Sequence, residues 1–251
     1  MTQQNIHGVN TTYRISGEGR WVVLLHGWGQ NKDMMRMIEE HLNTGFKVLN
    51  IDFPGFGDSD EPPVPWGVED YADYLDDLFK AVGCSDPILI GHSFGCRVAI
   101  RYAVKHPVHK MVLTGAAGIR PKRGLDYTVK KSVLSFGKKI LDMSGNKDLE
   151  ENLKKMMGSD DYRNATGVMR ETFVKVVNDD VTDILDQVRC PVLLVFGDQD
   201  TDTPLWMGLL MEKKMPDAGL AVFQGDDHYA YFHQWQRFNA VLDAFFGEER
   251  S

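Results

Sequence analysis

Short apolar runs alternate along the chain with segments whose apolar residues recur every three or four positions. The runs are apolar at nearly every position, which is typical of strands that are covered on both faces. They predict strands at Trp21–Leu25, Phe46–Ile51, Pro87–Ile90, Lys110–Thr114, Pro191–Phe196 and Leu220–Phe223. An antiparallel strand is also expected at Thr11–Ile15, before the first of them.

The segments between the runs predict amphipathic helices. In Val68–Val82, for example, Tyr71, Leu75, Leu78 and Val82 lie on one face and acidic residues on the other. Further helices are expected at Lys32–Leu42, Gly95–Lys105, Pro204–Met215 and Tyr231–Phe246. Because strands that alternate with helices form right-handed crossovers, we expect an α/β fold with a mostly parallel, doubly wound sheet.

One long stretch interrupts this alternation. From Gly118 to Leu185 no strand is convincing, the composition favours helix, and the segment is rich in Lys and Met. Its slight excess of basic residues contrasts with the acidic remainder of the chain. We therefore expect a helical cap at 118–185, inserted into a core domain formed by 1–117 and 186–251. One or two long crossover helices are the alternative.

Composition narrows the range of partners. The length of 251 residues fits one large α/β domain with an insertion, and the net charge of −8 disfavours nucleic-acid and membrane partners. Three cysteines without a CxxC pair predict no disulfide framework and no zinc site. The polar N-terminus lacks the apolar segment of a signal peptide. We expect a cytoplasmic monomer or homodimer that acts on a small molecule.

The segment Gly91-His92-Ser93-Phe94-Gly95 lies between a predicted strand and a predicted helix. This is the context of a G-x-S-x-G nucleophile elbow, a sharp turn that exposes a serine hydroxyl. Glycines two positions before and after the serine remove side chains that would collide in such a turn. The start of the helix then favours negative charge that develops at Ser93. His92 is expected to point away from the nucleophile.

A serine nucleophile needs a general base, and the base is oriented by an acid. After such an elbow, the acid and then the histidine follow along the chain. Of the eight histidines, only His228 comes late enough and directly after a predicted strand. Chain order does not decide which acid orients His228. The candidates are Asp198, Asp200, Asp202, Asp226 and Asp227.

The segment Leu25-His26-Gly27-Trp28-Gly29 directly follows the strand predicted at Trp21–Leu25. An oxyanion hole needs two main-chain N–H groups, one from the residue after the nucleophile and one from this early loop. Phe94 would supply the first group and Trp28 the second. The glycines on either side of Trp28 let the backbone approach the reacting carbonyl.

Together with Asp52-Phe53-Pro54-Gly55-Phe56-Gly57-Asp58-Ser59 and Gly197-Asp198-Gln199-Asp200, these motifs resemble those of the α/β-hydrolase family, in its branch with a helical lid. The resemblance runs over nearly the whole chain. It implies a triad of Ser93, Asp200 and His228, because the acid in this family usually takes the fourth place of the G-x-x-D segment. Cys96 replaces the usual second glycine after the serine, which should alter packing and leave the chemistry unchanged.

In the segment Asp52–Ser59 we expect the glycines and Pro54 to shape the backbone, and Ser59 to be incidental. Dehalogenase and epoxide-hydrolase relatives carry aspartate as the nucleophile, so Ser93 argues against both activities. The run Arg120-Pro121-Lys122-Arg123 has two interpretations. It is either a site for a substrate carboxylate or, as charge runs usually are, a solvated face.

The resemblance and the triad predict a serine hydrolase, carboxylesterase-like, that cleaves a small or medium ester through an acyl-enzyme. No metal or organic cofactor is needed for that chemistry. The alternatives are a carbon–carbon bond hydrolase, a thioesterase, a lactonase, a cofactor-free haloperoxidase, and a slow-turnover receptor or signalling protein with this fold.

Overall fold

The structure is a computed structural model that describes residues 2–120, 161 and 164–249. Within these residues eight strands form one sheet in the order β1-β2-β4-β3-β5-β6-β7-β8. Their bounds are β1 Thr2–Ile6, β2 Val9–Ser16, β3 Trp21–Leu25, β4 Lys47–Ile51, β5 Ile88–His92, β6 Lys110–Thr114, β7 Val192–Gly197 and β8 Ala218–Phe223. β2 pairs antiparallel with β1 and with β4, and all other neighbouring strands are parallel.

Helices connect the parallel strands, and two more follow the last strand, β8. They are α1 Arg36–Leu42, α2 Val68–Val82, α3 Phe94–Ala103, α4 Gly167–Asn178, α5 Leu205–Lys214, α6 Ala230–His233 and α7 Trp235–Phe246. Short 3-10 helices lie at Lys32–Met35, Leu185–Gln187 and Gly247–Glu249. The predicted mostly parallel α/β sheet is confirmed. None of the helices in the described part of the chain is long and apolar enough to cross a membrane.

Both faces of the sheet are covered, as the continuous apolar runs predicted. Along β3, Trp21, Val23 and Leu25 belong to one core layer, while Val22 and Leu24 belong to the other. Side chains of α2, α3 and α5 pack in the first layer, and those of α1 and α7 pack in the second. This two-sided burial is what makes the strands of such a sheet apolar at successive positions.

Strand β1 was not predicted from the sequence. Its residues Thr-Gln-Gln-Asn-Ile are mostly polar and exposed, so they show no strand pattern. The strand forms at the sheet edge because His7 and Gly8 both take positive φ, at 54° and 81°, in a tight turn to β2. Two consecutive positive φ angles are the signature of the turn that best matches the twist of a hairpin.

The predicted cap lies mostly outside the described residues, at 121–160 and 162–163. Its described parts are 118–120, Asp161 and 164–185. These parts contain α4 and no strand. The division into a core and an inserted cap therefore stays a prediction.

A buried ion network joins the loops after β3 and β4. The Lys32 side chain is only 2% exposed, and its Nζ lies 2.7 Å from an Oδ2 of both Asp52 and Asp58. Asp52 also accepts the main-chain N–H of Lys32 at 2.7 Å and that of Asp58 at 2.9 Å. Ser59, expected to be incidental, donates its hydroxyl to the Asp52 carbonyl and accepts the N–H of Thr12. The segment after β4 is thus held by side chains as well as by its glycines.

Replacing Lys32 by methionine should strip the fully buried Asp52 carboxylate of its cation. Removing one partner of a buried pair costs about 3–5 kcal/mol, and we expect the free energy of unfolding to fall by that order. Urea denaturation of the Lys32→Met variant measures it. Arg36→Met is the matched control, since the Arg36–Glu40 pair is exposed and contributes little. An equally small effect of both variants would show that the network does not stabilise the fold.

Candidate active site

Ser93 is the single residue between the end of β5 and the start of α3. Its backbone has φ 51° and ψ −108°, a conformation that costs energy for any residue other than glycine. A Cβ on Gly91 would lie 2.8 Å from the Cys96 nitrogen, and one on Gly95 would lie 2.1 Å from the Leu25 carbonyl oxygen. Both glycines are therefore required at this turn, and the elbow has the geometry that the motif implies.

Hydrogen bonds to neighbouring segments hold the strained turn. The Ser93 N–H donates to the Thr114 carbonyl at the end of β6, at 3.0 Å. The Ser93 carbonyl accepts the N–H groups of Cys96 at 3.1 Å and Ala117 at 3.3 Å. The half-buried Ser93 side chain lines a pocket of about 280 Å³, which Trp28, Phe94 and His228 also line.

The structure brings His228 and Asp200 into direct contact. His228 follows β8, Asp200 follows the neighbouring strand β7, and the His228 Nδ1 lies 2.7 Å from the Asp200 Oδ2. Asp200 is buried, and its Oδ1 accepts the N–H groups of Asp202 and Thr203 at 2.8 Å each. The Thr203 hydroxyl donates to the Asp200 Oδ2 at 2.7 Å. Every contact of this carboxylate thus fixes its orientation toward the imidazole.

The protonation of this pair follows from its surroundings. Burial alone would raise the pKa of Asp200, but the hydrogen bonds from His228 and Thr203 outweigh burial and hold this pKa below its ordinary value. An ionised Asp200 requires His228 to carry its proton on Nδ1. The other ring nitrogen, Nε2, is then free to accept a proton, as a general base must.

The other candidate acids have different partners. The Asp198 carboxylate is exposed and accepts the N–H of Gly225 at 2.8 Å. Asp226 accepts from His233 at 2.8 Å and from Gln234 at 2.9 Å. The Asp227 carboxylate accepts the N–H of Tyr229. Of the five candidates, Asp200 alone hydrogen-bonds the His228 ring among the described residues.

The two residues predicted to form an oxyanion hole lie side by side. The rings of Trp28 and Phe94 are 5.6 Å apart, and both residues line the pocket with Ser93. Phe94 is the first residue of α3, so its N–H has no acceptor within the helix. The loop of Trp28 is held by the buried His26, whose Nε2 accepts the Phe53 N–H and whose Nδ1 lies 2.7 Å from the Gly27 carbonyl. Burial lowers the pKa of His26 to about 4, so the ring is neutral.

Several residues around this site were not predicted from the sequence. His92, expected to point away, packs its ring 4.8 Å from that of His228, and burial lowers the pKa of His92 to about 3. A Cβ on Gly115 would lie 2.9 Å from the His228 Nδ1, so only glycine leaves room for the ring there. Thr203 and Arg97 also belong to the pocket. Of these, Arg97 is the charged residue that the sequence shows in the mainly apolar first turns of α3.

Two groups of carboxylate and imidazole ligand atoms lie close enough to hold a metal ion in the described part of the chain. They are Asp200, Asp202 and His228, and Asp226, Asp227 and His233. In the first group, the Asp200 oxygens are already used by Thr203, Asp202 and His228. These hydrogen bonds engage both oxygens of the Asp200 carboxylate and orient it toward the His228 ring.

The sequence profile of the alpha/beta hydrolase family matches residues 22–241, most of the chain. The chain belongs to the alpha/beta hydrolase family. One fold can carry several activities, so membership of the family does not by itself determine the reaction.

Named relatives illustrate that range. A 2-hydroxy-6-oxononadienedioate/2-hydroxy-6-oxononatrienedioate hydrolase of Paraburkholderia phymatum is 27% identical, over 94% of this chain and 90% of its own length. A pimeloyl-[acyl-carrier protein] methyl ester esterase of Chromobacterium violaceum is 28% identical, over 90% of this chain and 94% of its own length. An esterase from Exiguobacterium antarcticum superposes with a TM-score of 0.75 at 21% identity, covering 96% of this chain and 97% of its own. This likeness supports the shared fold.

Asp200→Asn tests whether the observed hydrogen bond matters for turnover. An amide would favour the wrong imidazole tautomer, so we expect kcat on an aryl ester to fall by about 10⁴-fold while the protein stays folded. Asp198→Asn is the matched control, because that carboxylate lies on the same loop but does not contact His228. Equal losses in the two variants, or a loss in Asp198→Asn alone, would move the acid away from Asp200.

Proposed function

We propose that this alpha/beta hydrolase is a serine hydrolase that cleaves a small or medium carboxylic ester. The observation that carries the proposal is the Asp200–His228 hydrogen bond beside the pocket that Ser93 lines. A buried, ionised acid, an imidazole bonded to it and a serine on a strained elbow are the parts that acyl transfer requires. A pocket of about 280 Å³ suits a compact substrate.

The proposed cycle has two halves. The His228 Nε2 takes the Ser93 hydroxyl proton as the Ser93 oxygen attacks the ester carbonyl carbon. The N–H groups of Trp28 and Phe94 stabilise the oxyanion, and each such donor lowers the barrier by about 3–4 kcal/mol in comparable sites. The bond to the alcohol then breaks, and the alcohol leaves with the proton from His228.

In the second half, water replaces the alcohol. It gives its proton to His228 and attacks the acyl-enzyme carbonyl, and the carboxylic acid product leaves as Ser93 regains its proton. Every step is a proton transfer or a nucleophilic attack by the side chains named. The proposed cycle therefore runs without a metal or an organic cofactor.

The named relatives include both an esterase and a hydrolase of another substrate, so the substrate panel must separate these activities. Thioesters, lactones and carbon–carbon substrates belong in it beside esters. Turnover of an ester at a rate far above that of the other classes supports the carboxylesterase assignment. A receptor of this fold would instead show negligible turnover on the whole panel.

Ser93 should be the residue that a fluorophosphonate probe modifies. We expect labelling of the wild-type protein at Ser93, no labelling of Ser93→Ala, and a loss of kcat of about 10⁴–10⁶-fold in that variant. Mass spectrometry of the labelled peptide and steady-state kinetics measure both effects. Ser85→Ala is the control, because Ser85 is exposed and precedes β5, at the opposite end of that strand. Ester hydrolysis by Ser93→Ala at the wild-type rate would contradict the proposed mechanism.

A further inference from the structure

A buried cation lies in the pocket of Ser93. Arg97 is four residues after Ser93 on α3, is 8% exposed, and lines the same pocket. Its Nη1 donates to the carbonyl oxygens of Val176 at 2.5 Å and of Asp179 at 2.6 Å, at the end of α4. These two bonds hold the guanidinium in one place but supply no negative charge.

The remaining donors of Arg97 are free within the described residues. Its Nε is buried without a hydrogen-bond partner, and its Nη2 makes no hydrogen bond there. Nε and Nη2 form the edge of a guanidinium that a carboxylate can bind with both oxygens. A buried donor without a hydrogen-bond partner is costly, so an anion that reaches this edge would be bound by charge and by hydrogen bonds together.

The two acids whose charges act on Arg97 within the described ranges, Asp179 and Asp180, already have partners. The Asp179 carboxylate accepts from the Arg101 Nη2 at 2.6 Å, and the Asp180 carboxylate accepts from Arg120 and from the Thr182 N–H. Among the described residues Arg97 forms no ion pair of its own. Burial lowers the pKa of Arg97 to about 10, so the guanidinium still carries its charge at neutral pH.

The two acids that also line the pocket, Asp161 and Asp202, lie near His228. Burial first and Asp202 second raise the pKa of Asp161, while His228 lowers it. The charges that act on the pKa of Arg97 are instead those of Asp179, Asp180, Arg101 and Arg120. The pocket is therefore acidic near His228 and basic near α4. Its lining on the α4 side is otherwise apolar, with Phe173, Val176 and Val177.

We propose that Arg97 binds a carboxylate on the substrate that Ser93 attacks, so that this hydrolase prefers esters with a negatively charged end. The inference rests on the proposed function and narrows its substrate class. It also moves the carboxylate site away from the run at 120–123. Arg120 is exposed and pairs with Asp180, and Lys122 and Arg123 lie outside the described residues.

Matched ester pairs test the proposal. The first pair is the 4-nitrophenyl monoester of glutarate, with a free carboxylate on the acyl side, against neutral 4-nitrophenyl pentanoate. The second pair is 4-acetoxybenzoate, with the carboxylate on the alcohol side, against neutral 4-acetoxybenzamide. The readout is the ratio of kcat/KM for the anionic ester to that for its neutral partner. Because both members of a pair react at the same ester group, a general loss of structure lowers both and leaves the ratio unchanged.

In Arg97→Met we expect this ratio to fall by about 10–100-fold in at least one pair, the size of a lost hydrogen bond to a charged group. Arg97→Lys keeps the charge but loses the two-donor edge, so its ratio should lie between those of the wild type and Arg97→Met. Arg101→Met is the control. Arg101 neighbours Arg97 on α3 and pairs with Asp179, but it is not part of the pocket lining described above, and its ratio should match that of the wild type.

An unchanged ratio in Arg97→Met for both pairs would overturn the proposal. A wild-type protein that does not prefer the anionic ester in either pair would also overturn it. This measurement does not depend on the folding of any variant. The proposed function fails separately. Turnover of the neutral esters with fluorophosphonate labelling at Ser93 keeps that function even if Arg97 does not discriminate, whereas no turnover and no labelling would remove both.

Discussion

The left-handed backbone of Ser93 is the constraint around which the rest of the site is arranged. A residue with a side chain takes φ 51° only where its surroundings leave it no alternative. Here β5 and α3 meet at one residue, Gly91 and Gly95 leave no side chains in the bend, and the end of β6 bonds to the main chain of Ser93. The strain is offset by the packing of the whole sheet, and it exposes the hydroxyl at the pocket.

A close contact between α3 and the loop after β3 forms the other side of the pocket. Gly95 lies so near the Leu25 carbonyl that the loop after β3 is pressed against the first turn of α3. That contact brings Trp28 beside Phe94, and the neutral His26 ties the loop to Phe53. The Lys32–Asp52–Asp58 network then holds the segments that follow β3 and β4. The proposed nucleophile Ser93 and the two proposed oxyanion donors, Trp28 and Phe94, are thus positioned by one set of backbone contacts, and the buried ion network supports these loops.

Charge in the pocket is divided between its two ends. Asp200 is ionised and oriented by four hydrogen bonds from Asp202, Thr203 and His228, and its negative charge lies against the imidazole. Among the residues that the structure describes, Arg97 forms no ion pair and donates to carbonyl oxygens. In the proposed mechanism a substrate would meet the base His228 at one end and the cation of Arg97 at the other. Such an arrangement selects substrates by charge as well as by size.

Periodicity and local motifs were enough to specify the sheet, its helices and the elbow, because those features depend on residues that are close along the chain. Val68–Val82 forms a helix with the predicted bounds, and Gly91 and Gly95 show in the sequence why Ser93 can turn. The polar β1 was missed because only its turn and its neighbour make it a strand. From the residues alone, five aspartates remained candidates for the acid that pairs with His228, and the family resemblance favoured Asp200. Only the packing of β7 beside β8 shows which carboxylate reaches the ring, because contacts between distant segments are set by the folded chain. For the same reason Arg97 could be recognised as a pocket cation without an ion pair in the described part of the chain only once α3 and α4 had been placed side by side.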